Sequence, residues 1–346
     1  MDLNIAMRKT RLGKNGPEVS ALGLGCMGMS GMYGPTEEQQ SIATIHAALD
    51  AGINMLDTGD FYGMGHNELL LHKALTGMPR DRYFIGVKFG GMRAPSGAFI
   101  GIDTRPAAVK NFLAYTLRRL GTDYVDLYQP ARVDPAVPIE DTIGAIAEMV
   151  KAGYVRYIGV SEASAATIRR ANAVHPIAAL QIEYSLVSRG IEAEILPAVR
   201  ELGISVTAYG VYSRGLLTGS VPSTDSIARG DIRGHFPRFQ GENLAANQRM
   251  IAKLQAIARD KGVTVAQLAL GWILTKGSDI IPLVGARTES QLNDALETMK
   301  LSFSAGEIAA LESAVPAEGA AGDRYAVEQM QTLDSERKAG ASGAAR

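Results

Sequence analysis

Residues 124–160 read YVDLYQPARVDPAVPIEDTIGAIAEMVKAGYVRYIGV. A short apolar run at 124–128 is followed by a segment of helical spacing at 138–151 that stops at Gly153. A second apolar run then occupies 156–160. Neither run shows the strict alternation of a sheet wetted on one face, so both read as strands buried on both sides. A buried strand, a helix and another buried strand make one parallel crossover unit.

Outward from that unit the same rhythm repeats. Strand-like runs fall at 21–25, 53–57 and 83–88 before it, and at 179–183, 204–209 and 280–284 after it. Segments with helical spacing lie between them at 36–50, 104–120, 163–174, 192–202, 247–261 and 289–299. The first opens Thr-Glu-Glu, with Thr36 read as a helix cap, and ends near Gly52. Eight strands alternating with helices predict an α/β protein, a (β/α)8 TIM barrel. The competing doubly wound sheet normally carries G-x-G-x-x-G after its first strand, and GLGCMGMSG at 23–31 does not match. Ahead of the first barrel strand, residues 7–20 hold a Lys-Asn-Gly turn that predicts an N-terminal hairpin lying on the barrel floor. Residues 210–246 form a long loop without periodicity, a length that usually signals function. Residues 1–334 read as one barrel domain with an extended C-terminal segment, and the small polar tail 335–346 as disordered.

Composition narrows the function. The 346 residues are 46% hydrophobic and 21% charged, with 35 Lys plus Arg against 36 Asp plus Glu and a net charge of −1. No basic surface of the kind nucleic acids need is expected. No apolar run reaches the roughly 18 residues that span a bilayer, and MDLNIAMRKTR at the N-terminus lacks a secretory core. The single Cys26 forms no internal disulfide and fits a reducing compartment, so a cytoplasmic protein is expected. No Cys/His cluster has metal-ligand spacing. Oligomeric state is not legible.

Barrel enzymes carry their chemistry at the C-terminal ends of the strands. Asp57 ends the second strand, Tyr62 follows in the next loop, and Lys88 ends the third. Ser161 and Glu162 follow the fifth strand, Gln181 lies in the sixth and Tyr209 ends the seventh. A carboxylate, a phenol and an ammonium at one mouth make an acid-catalysis unit. The ammonium is expected to lower the phenol's pKa, and Asp57 to hold Lys88 in place. Each residue alone has an ordinary structural reading as cap, packing or surface group. Their arrival at adjacent strand ends is what favours chemistry.

The motifs around these positions resemble the aldo-keto reductases. N-M-L-D-T-G-D-F-Y-G (54–63) is similar to the family's N-x-x-D-T-A-x-x-Y-G, and G-V-K-F-G (86–90) carries the matching Lys. G-H-N-E (65–68), Y-I-G-V-S-E (157–162), Q-I-E-Y-S (181–185) and R-F-Q-G-E-N (238–243) follow in register, and the likeness spans about 7–325. The resemblance implies that Asp57, Tyr62 and Lys88 are three of four catalytic residues, with Tyr62 the general acid/base. It implies NADP(H) as cofactor. Gly25 and Met27 would line its site, together with Asp57. Ser161 and Gln181 would hold the nicotinamide carboxamide, and Tyr209 would stack on its ring. Gly210, Tyr212, Arg214 and Leu217 would wrap the pyrophosphate, while Gly285, Arg287 and Gln291 would hold the adenosine phosphate, Arg287 by a bidentate pair. The implied activity is reduction of an aldehyde or ketone, or the reverse oxidation of an alcohol, with a small-molecule substrate. The alternative is an NADP(H)-binding sensor or regulatory subunit.

The departures from the pattern are specific. D-L-Y-Q-P-A-R-V-D (126–134) places Ala131 where the resemblance calls for the fourth catalytic residue, a His. Losing one donor of that kind costs about 10²–10³ in rate. His66 and His235 are the only histidines near the mouth, and His235 reads first as a surface residue. Gly210 and Ala295 replace residues that donate to cofactor in many relatives. Cys26 reads as a packed thiol, and Met27, Met29, Met32 and Met64 as either an adaptable pocket or loop packing.

Overall fold

The computed structural model describes residues 7–219, 231–316 and 318–337. The chain begins with an antiparallel pair, β1 (Lys9–Arg11) and β2 (Glu18–Ser20), in the register Lys9 to Ser20 and Arg11 to Glu18. Its connection is longer than a tight Lys-Asn-Gly turn, because the Leu12 N–H donates to Pro17 O at 2.9 Å. Gly13 sits at φ +68°, where an added Cβ would meet Ala178 O at 2.7 Å, so that position requires glycine. Leu12 and Val19 bury against Met55, Phe84, Leu127, Ile281 and Leu283. The hairpin therefore plugs the barrel floor.

The barrel strands are β3 (Gly23–Gly25), β4 (Met55–Gly59), β5 (Phe84–Phe89), β8 (Val125–Pro130), β9 (Val155–Ser161), β10 (Ile177–Glu183), β11 (Ser205–Tyr209) and β12 (Ile280–Gly285). They close in that order, each parallel to its neighbours, with Leu283 of β12 opposite Gly23 of β3 completing the ring. This is the (β/α)8 barrel, and all eight expected strands are in it. Strand β8 shows the two-sided burial. Leu127 points in to the floor cluster, whereas Tyr128 points out, stacks on Phe89 at 4.3 Å and donates its hydroxyl to Val109 O at 3.2 Å. Between β5 and the next helix lies a hairpin that the periodicity did not reveal, β6 (Gly91–Arg93) with β7 (Phe99–Ile102), standing at the mouth.

The helices are α1 (Glu38–Asp50), α2 (His66–Leu75), α3 (Pro106–Leu120), α4 (Ile139–Lys151), α5 (Ala165–Val174), α6 (Ile195–Leu202), α7 (Gly241–Lys261), α8 (Val265–Leu274), α9 (Glu289–Glu297), α10 (Ala305–Ala314) and α11 (Val327–Met330). Thr36 does not cap α1. The cap position is Glu37, and the Thr36 hydroxyl donates instead to Met29 O. Helix α7 begins at Gly241 and so shortens the expected long loop, of which 220–230 lie outside the described residues. Helices α8 and α10 were not anticipated. Helix α8 (VAQLALGWIL) is apolar nearly all round and buried, so it has no polar face to generate a helical period.

After α10 the chain crosses the mouth of the barrel. The tail expected to loosen at 335 stays packed further on: Ser335 N–H donates to Glu162 O at 3.0 Å, and Glu336 pairs with Arg324 at 2.7 Å. A buried ion-pair partner outweighs a loop-like composition here. Residues 338–346 lie outside the described residues.

Candidate active site

Asp57 and Lys88 point inward from the neighbouring strands β4 and β5. The Lys88 ammonium donates to Asp57 Oδ1 at 2.8 Å, to Asp57 Oδ2 at 2.7 Å and to the Thr58 carbonyl at 3.0 Å. An ammonium has three N–H groups, so these acceptors use all of them. Gln181 of β10 reaches across the barrel and donates Nε2 to Asp57 Oδ1 at 2.6 Å.

Tyr62 follows β4 in a tight turn where Gly63, Met64 and Gly65 all have positive φ. A methionine in left-handed backbone is strained, and such strain collects at functional sites. The ring packs edge-on to Phe61 at 4.9 Å and presents its face to Lys88 Nζ, 5.1 Å from the centroid. The sequence-based expectation of a lowered phenol pKa is corrected. Burial first, and then the Asp57 charge, push Tyr62 well above the ordinary tyrosine value. The ammonium is committed to the carboxylate and meets the ring face, so it does little to favour phenolate. Burial in turn lowers Lys88, against the opposing pull of Asp57.

The turn is held from below by Asn67, which is fully buried. Its carboxamide accepts from Thr58 Oγ1 at 2.6 Å and donates to Cys26 O at 2.8 Å and Ser30 Oγ at 2.7 Å. That explains the Asn of G-H-N-E. His66 is tied to Ser30 at 3.0 Å rather than turned into the mouth.

These groups open onto a cleft of 1150 Å³. Its walls include Gly25, Met27, Asp57, Tyr62, Lys88, Ser161, Gln181, Tyr209, Gly210, Tyr212, Arg214, Gly285, Arg287 and Gln291. Of the residues singled out from sequence as cofactor-binding or catalytic, Leu217 alone is absent, being buried in the core. Ala295 is likewise a core residue. Gly210 has φ +69°, and a Cβ there would lie 3.0 Å from Glu183 Cγ, which accounts for glycine at that position. Met27 and Met32 line the cleft, whereas Met29 is core and Met64 is exposed. Burial raises the Cys26 thiol, as a packed thiol requires. Among the described residues no cluster of His, Cys, Asp and Glu has the makings of a metal site.

A family model described as "Aldo/keto reductase family" matches residues 21–316. The chain belongs to the aldo-keto reductase family. It is 41% identical over 320 residues to a probable aldo-keto reductase 1 of Glycine max, with 92% of each chain covered. It superposes on a glycerol dehydrogenase from Gluconobacter oxydans with a TM-score of 0.81 at 27% identity, over 96% of this chain and 98% of that one. A thermostable aldo-keto reductase, Tm1743, solved with the inhibitor epalrestat, gives a TM-score of 0.70 at 28% identity, over 89% and 100%. Membership makes this protein an oxidoreductase of carbonyl and alcohol groups. No helix among the described residues is long and apolar enough to cross a membrane.

This aldo-keto reductase closes its mouth with a C-terminal segment, Arg324, Tyr325 and Ser335 among it, that sequence reasoning did not single out. Glu162, at φ +51°, accepts from Arg324 at 2.9 and 2.6 Å, from Tyr209 OH at 2.6 Å and from Ser335 Oγ at 2.6 Å. Burial alone would raise its pKa, but the Arg324 guanidinium holds it well below the usual carboxylate range. Tyr325 OH lies 2.8 Å from Tyr209 OH. Arg214 pairs with Glu183 at 2.9 Å and stacks on Phe236 and Tyr325. The loop expected to wrap a pyrophosphate is thus tied to the C-terminal segment. Phe61, Arg93, Phe99 and Arg132 complete the other wall. Arg132 stood in the sequence only as a marker of register beside Ala131. Ala131 itself is buried on that wall, and exposed His235 lies on the cleft rim.

Proposed function

We propose that this aldo-keto reductase reduces an aldehyde or ketone with NADPH, using Tyr62 as general acid and the Asp57–Lys88 pair to hold it. The observation that carries the reading is the meeting, in one cleft, of that buried trio with Ser161, Gln181 and Tyr209. Buried Ser161 Oγ has no hydrogen-bond partner among the described residues. Gln181 uses its nitrogen on Asp57, which leaves its oxygen as an acceptor. A nicotinamide carboxamide needs one donor and one acceptor, and this pair supplies them. The Tyr209 ring offers the stacking face. Arg287, just before the capped start of α9, suits a 2′-phosphate, and one of its terminal nitrogens already donates to Tyr33 O at 3.2 Å.

NADPH, when bound, supplies the hydride. Tyr62 gives its phenolic proton to the substrate oxygen, so that the carbonyl leaves as an alcohol, and recovers a proton from solvent. With its pKa raised by burial, Tyr62 holds its proton at neutral pH, the form that a general acid needs. The Asp57–Lys88–Gln181 ties keep the surroundings of the ring fixed.

The test is NADPH consumption over a panel of aromatic, heterocyclic and aliphatic aldehydes by the parent and by Tyr62→Phe. Turnover in the parent that falls by about 10²–10⁴ in the variant is expected, with NADPH fluorescence quenching retained in both. NADPH binding without turnover of any aldehyde would instead point to a sensor.

A further inference from the structure

The cleft carries several guanidinium groups, and their partners differ. Arg214 is paired with Glu183 and Arg233 with Asp231 at 2.6 Å. Among the described residues Arg132 makes no salt bridge, although the charge of Glu162, itself bonded to Arg324, acts on it. Arg132 donates Nη1 to its neighbour's carbonyl, Ala131 O, at 2.7 Å, and makes a long contact from Nη2 to Tyr325 OH at 3.4 Å. A guanidinium has five N–H donors in a fixed fork, so most of its donor capacity is left over at a partly covered wall. Its charge reaches Tyr62, where it works against the rise of the phenol's pKa. Ala131, with only a methyl group, lines the same cleft as Arg132 and Tyr62. Phe61, Phe99 and Tyr325 give the same end flat apolar walls.

We infer that Arg132 is an anion anchor, and that the substrates of this site are aldehydes, aromatic ones above all, that carry a carboxylate or another oxyanion group. The assignment rests on the reductase reading and names its substrate class. A carboxylate held in the fork of Arg132 fixes the rest of the molecule with its carbonyl toward Tyr62. That supplies by bidentate pairing the orientation that a histidine at position 131 would otherwise give. Arg132 is in this sense a positioning residue, and it does not exchange the proton.

The test compares 4-carboxybenzaldehyde with 4-nitrobenzaldehyde, which match in shape and differ in charge, in the parent, Arg132→Met and Arg132→Lys. The carboxylate-to-nitro ratio of kcat/KM is expected to fall about 10- to 100-fold in Arg132→Met, mostly through KM. Arg132→Lys keeps part of it, because a point charge remains but the fork is lost. A parallel arm with 4-formylphenyl phosphate tells a phosphate-bearing substrate from a carboxylate-bearing one. Calorimetry with 4-(hydroxymethyl)benzoate, which cannot be reduced, reads the anchor without turnover, and circular dichroism checks that each variant is folded. Turnover with an unchanged ratio in Arg132→Met overturns the anchor and leaves the reductase reading standing. No turnover, with alcohol binding lost only in the variants, keeps the anchor and removes the reductase reading. Neither turnover nor binding removes both.

Discussion

Asp60 lies in the loop between Asp57 and Tyr62, buried, with no side-chain partner for its carboxylate among the described residues and only weak support from the Gly90 and Phe61 backbone N–H groups. Burial first, and then the nearby Glu68 charge, raise its pKa from 3.8 to about 7. Glu68 has its own partner in Arg119, which leaves Asp60 as the unpaired member. At one pKa unit per 1.36 kcal/mol, the shift corresponds to about 4 kcal/mol. Below about pH 4 both folded and unfolded chains carry the proton, and Asp60 contributes nothing. Between about pH 4 and 7 the unfolded chain gives up the proton while the folded one keeps it, so stability falls as pH rises. Above about pH 7 both forms are ionised and the loss levels off. Asp60→Asn removes the titration at nearly constant shape. Its stability relative to the parent should therefore be about 3–4 kcal/mol greater at pH 8 than at pH 4. Urea midpoints across that range, followed by circular dichroism and by the fluorescence of Trp272, measure it. Parallel pH profiles for the two proteins would refute the reasoning.

Other perturbations follow from the same geometry. Asp57→Asn strips the carboxylate from buried Lys88 and should cost about 3–5 kcal/mol in thermal unfolding, with part recovered by adding Lys88→Met. Because Tyr62 is raised well above 10.0, kcat/KM for reduction should show no loss assignable to this acid at any pH below 10; an alkaline limb near neutrality that Tyr62→Phe abolishes would contradict it. Arg324→Gln removes two hydrogen bonds to Glu162 and should speed protease cleavage within 318–337 while the barrel stays intact, read by mass spectrometry; an unchanged cleavage rate would show that the segment is held otherwise.

The strands were legible because each is a short buried run bounded by loops, and residues such as Tyr128 and Leu127 serve two apolar sides at once. The meeting of Asp57, Tyr62 and Lys88 in one cleft was legible for a related reason: strand ends fix which side chains share a mouth. Orientation was not. Nothing in the string N-M-L-D-T-G-D-F-Y-G says that all three Lys88 protons go to Asp57 and Thr58, so the phenol's environment was misjudged. The missed helices α8 and α10 and the hairpin β6–β7 lack a clear period. The pairing of Glu162 with Arg324 joins groups far apart in sequence and leaves no local trace, which is why the far wall of the cleft went unread.

The family match ends at residue 316, yet Tyr325, Ala326 and Gln329 stand on the cleft wall and Arg324 locks them to the end of β9. One wall of the cleft is thus supplied from outside the barrel strands and loops. Changes confined to 318–337 alter the lining of the cleft without touching Asp57, Tyr62 or Lys88. Fusions or truncations made at this end of the chain are alterations of the active site.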